Sequence, residues 1–352
     1  MSHGNEKLQN YFYYANTTGH GIIGKHYLSK HNLTFRETSV LLNSRLKLDG
    51  SMNLMRQVVK NKPTVGGFYM NPLVGLYRFP RGEDISYYKE NFEVYDEGRN
   101  LNIQNWHTSY EDFEQNPYWI TNRILSKENR MHVIVSLSAN LKINDWLSLQ
   151  TRGNVDYIND KVRQQFYAST APALAGANGR YIEMDYQETQ YYGDAILMMK
   201  KQWDAFSLNA ALGASINDKT VNSTRYDAKT ASLKYANEFN LANIIMNGSA
   251  GLDQKIDARR QLQSLFATAQ LGYNEFVYLD LSARNDWSST LAYTSHEKSG
   301  FFYPSVGFSL IFNKLMTLPR WVSLAKIRGA YSMVRNDITM FITNPSSPIT
   351  AS

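Results

Sequence analysis

The chain has 352 residues, of which 43% are hydrophobic and 13% aromatic, so its composition is not that of a disordered protein. It contains no cysteine, which excludes disulfides and thiolate metal sites. The net charge is +6, but the lysines and arginines are scattered among 31 acidic residues instead of forming one patch, and this distribution argues against nucleic-acid binding.

The start of the chain gives no sign of export. Residues 1–10 have no apolar signal-peptide core, and no run of eighteen apolar residues that would form a transmembrane helix occurs anywhere. We therefore expect the chain to be either cytoplasmic or a piece of a longer precursor.

Strands are predicted where apolar and polar side chains alternate, because successive side chains of a strand point to opposite faces. A weak strand is predicted at residues 33–42 and a strong one at 45–57, and residues 11–16 are a further candidate. Residues 61–129 lack steady alternation and are far too long for an ordinary loop, so we expect this segment to be functional or to contain small elements of its own. Its Gly66-Gly67 pair indicates a hinge.

From residue 131 onward, the strands come in pairs. The predicted pairs are residues 131–143 with 146–157, 191–201 with 205–217, 261–272 with 276–286, and 302–312 with 321–334. Each strand holds roughly ten residues or more, which suits a tilted membrane-crossing strand better than a strand of a globular sheet.

Short connections within pairs alternate with long connections between pairs. We therefore predict a wholly antiparallel ladder with Asn144, Trp203, Asn274 and Leu318 at one rim. Residues 61–129, 159–190, 218–260 and 288–300 are predicted at the other rim. Outer-membrane barrels have this arrangement, and the aromatic residues beside the short turns suit a belt at the membrane interface. These aromatic residues are Trp146, Trp203, Phe276 and Trp321.

The two registers of the strands predict two different faces. The apolar register is expected to face lipid, and it contains Val133, Leu137, Leu208, Leu212, Leu279, Phe308 and Leu310. The polar register is expected to face a hydrated interior, and it contains Lys142, Asn140, Arg152, Asn154, Asp156, Asp280, Arg284, Lys326 and Arg328. The alternative is a soluble all-β protein, such as a carbohydrate-binding or adhesin module, whose apolar face covers a core.

Five stretches resemble the barrel of the SusC/RagA family of TonB-linked outer-membrane transporters, and they occur in the family's order. They are residues 71–85 (NPLVGLYRFPRGEDI), 114–120 (EQNPYWI), 284–291 (RNDWSSTL), 301–312 (FFYPSVGFSLIF) and 326–337 (KIRGAYSMVRND).

The resemblance implies a 22-stranded transmembrane β-barrel with an internal plug. It also implies a SusD-like surface lipoprotein as a lid, a TonB complex that moves the plug, and glycan or peptide ligands. The chain departs from the family because nothing in it resembles the signal peptide, the plug, the TonB box or the final strands, and because Arg335 stands where the family usually has glycine. We therefore expect residues 1–352 to be a partial barrel of about ten strands, eleven if residues 11–16 join.

No catalytic motif, cofactor site or metal site is predicted. The seven histidines, at positions 3, 20, 26, 31, 107, 132 and 296, lack metal-ligand spacing. The acidic cluster of Glu111, Asp112 and Glu114 is a candidate carboxylate pair or calcium site, but a solvated loop is the simpler interpretation. Trp287 is a candidate for stacking on a sugar ring, although the aromatic-belt argument favours an interfacial tryptophan.

Overall fold

The computed structural model describes residues 1–62, 64, 69–108, 114–229, 233–246, 251–295, 297–298, 300–319, 321–340 and 342. In this part of the chain, twelve strands form one large sheet in the order of the sequence, and two short strands form a separate hairpin. The strands of the large sheet are β1 (Ser2–Gly4), β2 (Leu8–His20), β3 (Tyr27–Leu41), β4 (Leu46–Lys60), β7 (Ile124–Lys142), β8 (Leu147–Phe166), β9 (Arg180–Trp203), β10 (Phe206–Asp227), β11 (Gly251–Tyr273), β12 (Val277–Ser288), β13 (Phe301–Ile311) and β14 (Lys326–Ser332).

The segment between β4 and β7 contains small elements of its own, as predicted. They are helices α1 (Pro72–Arg78), α2 (Ile85–Glu90) and α3 (Pro117–Arg123) and the hairpin strands β5 (Glu93–Asp96) and β6 (Leu101–Gln104). No helix of the described residues is long and apolar enough to cross a membrane.

The prediction of a wholly antiparallel ladder with the short turns on one rim is confirmed for the described strands. Asn144, Trp203, Asn274 and Leu318 lie in or beside connections at the same end of the sheet. The cross-strand partners at this end include Leu46 with Leu141, Leu147 with Met199, Phe206 with both Trp203 and Tyr273, and Val277 with Leu310. We call this end the turn rim and the opposite end the loop rim.

The register places the two predicted sets of residues on two different faces. Directly paired residues of an antiparallel sheet lie on the same side, and the pairing connects all seven residues of the predicted lipid-facing set through unshifted ladders. We call their side the apolar face. The residues predicted to face the interior all lie on the other side, the polar face.

The apolar face carries a hydrophobic belt of limited height. On β10, apolar residues hold every position of this face from residue 206 to residue 216, and Asp218, Thr220 and Asn222 follow. This length matches the roughly 9–11 residues with which a tilted strand crosses a bilayer. At the turn rim, four aromatic rings follow one another with centroid separations of 4.9 to 6.5 Å: Trp203, Phe206, Tyr273 and Phe276.

Several strand boundaries differ from the predictions. The sheet has twelve strands instead of ten or eleven, because residues 11–16 belong to a full strand, β2, and the three-residue β1 precedes it. Residues 159–190 and 218–260 are not wholly loops: β8, β9, β10 and β11 continue far beyond the apolar belt. In these extensions the apolar register of the belt turns polar, and the few apolar residues, such as Phe166 and Ile182, lie on the other face, so the alternation of the belt does not continue. β14 spans Lys326–Ser332 instead of the predicted residues 321–334, and a 3-10 turn at Phe312–Lys314 lies in the connection before it.

The buried core lies at the loop rim. One cluster contains Tyr181, Ala228, Leu233 and Ile244, and a second contains Phe166, Ala175 and Ile182 with Met70 and Leu174 packed against it. The fold therefore has its most tightly packed region where the long connections meet.

Candidate functional site at the loop rim

The segment between β4 and β7 forms a cap over the loop rim. Helices α1 and α3 both begin at an Asn-Pro pair: the side chain of Asn71 accepts from the backbone N–H of Leu73 at 3.0 Å, and that of Asn116 accepts from Tyr118 at 2.8 Å. Asparagine is a preferred N-cap, and proline suits the first helical turn. At Gly75 an added Cβ would lie 2.5 Å from the carbonyl oxygen of Gln115, so α1 packs closely on the start of α3.

Buried amide side chains tie the cap to the sheet. Gln115 is fully buried; its Nε2 donates to the carbonyl of Tyr69 at 2.6 Å, and its Oε1 accepts from the backbone N–H of Ala171 at 2.8 Å. The indole N–H of the buried Trp119 donates to Thr170 Oγ1 at 3.1 Å. Because Ala171 and Thr170 belong to the β8–β9 connection, the cap is held in a fixed position on the rim.

The interpretation of the acidic cluster as a solvated loop is wrong for Glu114. This residue is 3% exposed, and its carboxylate lies 3.1 Å from Arg78 Nε and 3.1 Å from His107 Nε2. Phe79 and Trp106 pack against His107, with ring centroids 5.3 and 4.7 Å away. Glu114 is buried because a cation and aromatic rings surround it inside the cap.

A second buried carboxylate clamps the bases of two long connections. Asp227, whose side chain is 2% exposed, accepts from Arg180 Nε at 2.7 Å and Nη2 at 2.8 Å, and from Arg225 Nη2 at 2.7 Å. Arg180 also donates to the carbonyl of Leu174 at 2.8 Å. Since Arg180 begins β9 and Asp227 ends β10, this clamp joins the two connections that form the buried clusters.

Burial acts to raise the pKa of the Asp227 carboxyl. The hydrogen bonds from Arg180 and from the backbone N–H of Lys229, with the charges of Arg180 and Arg225, outweigh burial and hold this pKa below its usual value. At neutral pH the clamp is therefore an ion pair. On the opposite face of β9, burial first, and then a hydrogen bond to Glu183, raise the pKa of Tyr181 to about 12.

A cavity of about 420 Å³ lies between the cap and the polar face. Its wall is partly apolar, with Met70, Ile120, Ile124 and Phe166, and partly polar, with His26, Asn61, Lys62, Glu128 and Gln164. Burial lowers the pKa of His26. Among the described residues, neither Lys62 nor Glu128 has a side-chain hydrogen bond or ion pair.

The isolation of Glu128 is unusual for this face. Most other strand carboxylates of the polar face contact a polar or basic side chain, as in Asp49–Arg36, Asp156–His132, Asp160–Arg130, Asp194–Arg152, Glu188–Lys219, Asp280–Gln270 and Asp286–Arg284. An unpaired carboxylate and an unpaired ammonium group in one cavity give it the means to bind a charged ligand.

Most of the residues predicted to face the interior already contact another polar side chain. Arg152 pairs with Asp194 at 2.6 Å, and Asn154 accepts from Ser136 at 3.1 Å. Their predicted face agrees with the register, and a ligand-binding role for them stays a prediction.

Trp287 lies on the apolar face, paired with Gln263 at the edge of the hydrophobic belt. It is partly buried, and its indole N–H donates to the carbonyl of Lys298 at 3.0 Å. This position suits an interfacial tryptophan, and a role in stacking on a sugar stays untested. Gly66, Gly67, Glu111, Asp112 and His296 lie outside the described residues.

The described ranges contain no group of three or more histidines and carboxylates that could hold a metal ion. Sequence reasoning missed Gln115, Asn116, Arg180 and Asp227 as structural anchors and Glu128 as a cavity residue. Only the first two carried a signal, since they lie in the stretch 114–120 that resembles the transporter family.

Solved structures show the same fold within larger chains. A chain of the RagAB peptide transporter superposes with a TM-score of 0.64 at 16% identity, covering 94% of this chain and 36% of that one. The RagAB peptide importer in its open-open state gives a TM-score of 0.63 at 16% identity, covering 94% and 35%. FpvA of P. aeruginosa bound to a heterologous pyoverdine gives 0.55 at 13% identity, covering 86% and 36%.

The chain therefore spans only 35–36% of the length of these solved chains. No family model matches it, and no curated protein does. The likeness to RagAB confirms, at the level of the fold, the resemblance to a SusC/RagA-type barrel fragment seen in the sequence.

Proposed function

We propose that the chain forms part of the wall of a TonB-dependent import barrel in the outer membrane of a Gram-negative bacterium. One observation carries this proposal: a hydrophobic belt of membrane-crossing height runs across the apolar face, with aromatic rings at the turn rim and polar strand extensions beyond the belt at the other end. The polar face then lines the hydrated interior, and the cap lies on the extracellular side.

Two partners follow from this placement. A SusD-like lipoprotein covers the loop rim as a lid, and a TonB complex acts on a plug from the turn rim. The fold shared with a chain of the RagAB peptide transporter supports such an assembly.

We favour a peptide over an oligosaccharide as the imported ligand. The cavity beneath the cap offers one unpaired ammonium group, Lys62, one unpaired carboxylate, Glu128, and an apolar wall. A zwitterionic peptide end with an apolar side chain satisfies all three, whereas a neutral sugar leaves two charges without partners.

A soluble carbohydrate-binding or adhesin module is the second candidate. In such a protein the apolar face would need a cover, but Leu137, Leu212 and Phe308 are 60%, 53% and 55% exposed in the described structure. This exposure favours the membrane.

The coding sequence that flanks the chain provides a first test. A signal peptide, a plug and a TonB box upstream are expected, and their absence from the gene would count against the proposal. The second test measures uptake of labelled peptides and oligosaccharides by cells with and without a functional TonB complex.

Glu128→Gln is expected to lower peptide uptake, while Glu238→Gln, which changes an exposed carboxylate at the same rim, is the matched control and leaves uptake unchanged. Uptake that does not depend on TonB overturns the transport proposal. Equal uptake by the two variants overturns the role of the cavity.

A further inference from the structure

Basic side chains meet in one row on the apolar face, beyond the hydrophobic belt. Lys60 of β4 pairs directly with Lys127 of β7, and Lys127 pairs directly with Arg163 of β8. Directly opposed residues have Cβ atoms about 4.5–5.5 Å apart. All three side chains are exposed.

Two more cations extend the row toward the belt. Arg56 lies four residues before Lys60 on the same face of β4, and Lys161 lies two residues before Arg163 on β8; both are exposed. We call these five residues the basic row: Arg56, Lys60, Lys127, Lys161 and Arg163.

The carboxylates near the basic row neutralise only one of its strands. Arg163 pairs with Glu183 at 3.1 Å and Lys161 with Asp185 at 3.3 Å, both carboxylates being on β9. Among the described residues, Arg56, Lys60 and Lys127 have no carboxylate partner. The row therefore keeps an excess of three positive charges.

Like charges that face each other across a ladder destabilise it. Glu183 offsets the charge of Arg163, but Lys60 and Lys127 face each other without a carboxylate, so an anion bound between them would stabilise the pair. The position of the row restricts the kind of anion: it starts at the edge of the hydrophobic belt, with Arg56 next to Leu54 on the apolar face, and extends roughly 14 Å along β4 at about 3.4 Å per residue.

We infer that the basic row binds the phosphate groups of an anionic lipid of the outer leaflet. This inference rests on the proposed function, because it needs the belt to lie in a membrane. The acyl chains contact the belt, and the phosphorylated headgroup lies at the height of the row. A lipid-bound phosphate is favoured over free phosphate because the belt supplies the lipid's apolar contact next to the cations.

The test uses the whole protein that contains this chain, purified from outer membranes in mild detergent. The triple variant Lys60→Gln/Lys127→Gln/Arg163→Gln is compared with the control Lys7→Gln/Lys47→Gln/Lys201→Gln, which removes the same charge at the turn rim. Binding of phosphorylated lipid A, of dephosphorylated lipid A and of inorganic phosphate is measured for each protein, and heat-modifiable mobility reports a closed barrel.

Phosphorylated lipid A is expected to bind the row variant at least tenfold more weakly than the control or the unmodified protein, and dephosphorylated lipid A to bind all three equally weakly. Equal binding by the row variant and the control overturns the inference. Inorganic phosphate that binds as tightly as the lipid also overturns it.

If the whole protein is absent from the outer membrane, the proposed function itself is refuted. Equal lipid binding by the row variant and the control refutes only the lipid inference, so the two failures are distinguishable. If the row variant does not form a barrel, Lys127→Gln and Lys127→Arg replace it. The first is expected to weaken binding, and the second to retain it.

Discussion

Asp227→Asn tests whether the loop rim depends on its buried clamp. The substitution keeps the size of the side chain but removes the charge that Arg180 and Arg225 face. Arg180, whose side chain is 19% exposed, then loses its ionic partner in a largely dry site. We expect the connections that contain residues 167–179, 228–229 and 233–246 to open more often while the strands of the belt stay paired.

Breaking a buried ion pair by changing one partner costs about 3–5 kcal/mol. The lower end, about 3 kcal/mol, applies here because Arg180 keeps some contact with water and can still donate to the carbonyl of Leu174. If the opening is local, this corresponds to roughly a 100-fold loss of protection from amide exchange.

Hydrogen exchange of the whole protein in detergent measures this effect. The reporter is the backbone N–H of Ala228, which donates to the carbonyl of Tyr181 at 3.1 Å. The control is Arg163→Gln, which breaks a pair whose arginine is 65% exposed and is expected to cost less than about 1 kcal/mol. Equal protection of Ala228 in the two variants would refute the reasoning.

Three further predictions concern the membrane, the clamp and the isolated chain. Cysteines placed at Leu137, Leu212 and Phe308 should react with a lipid-confined reagent in preference to a water-soluble one, and the reverse preference would contradict the lipid-facing assignment. Protection of the loop rim from protease should be lost as pH falls below 3.8, because the pKa of Asp227 is lowered in the folded state, and protection that stays constant in this range would argue against the clamp; protection should also be lost as pH rises from 10 toward about 12, because the pKa of Tyr181 in the buried cluster is raised, and constant protection there would argue against a role for its phenol. The 352-residue chain expressed alone with an added signal peptide should aggregate instead of inserting, because open sheet edges leave backbone groups unpaired in lipid; a monomeric, heat-modifiable species that imports ligand would contradict this.

The sequence predicted the strands of the belt well because one face of each strand is apolar and the other polar. It predicted their outer halves poorly. Between residues 218 and 227, for example, Lys219 and Ser223 share one face while Thr220 and Asn222 hold the other, so no alternation distinguishes a strand from a polar loop. Backbone pairing with both neighbours, which no single segment encodes, keeps these residues extended.

The candidate site was harder to predict, because its residues are distant in the sequence. Arg180 and Asp227 are in contact although they are 47 residues apart in the sequence, and the basic row contains residues from three separate strands. Such contacts depend on register, and register follows from the whole ladder. Glu114 was misjudged for a related reason: an acidic cluster suggests water, but the ring of His107 and the guanidinium of Arg78 that surround it come from other parts of the cap.

The strand extensions beyond the belt have a consequence for how such a wall evolves. β9 has 24 residues and β11 has 23, about twice the length that a bilayer requires. Hydrogen bonds between backbones hold the outer half together, so exposed side chains there, outside the buried clusters and the Asp227 clamp, can be exchanged without loss of the wall. New ligand preferences can then arise through single substitutions on a rigid surface, with no need to redesign a loop.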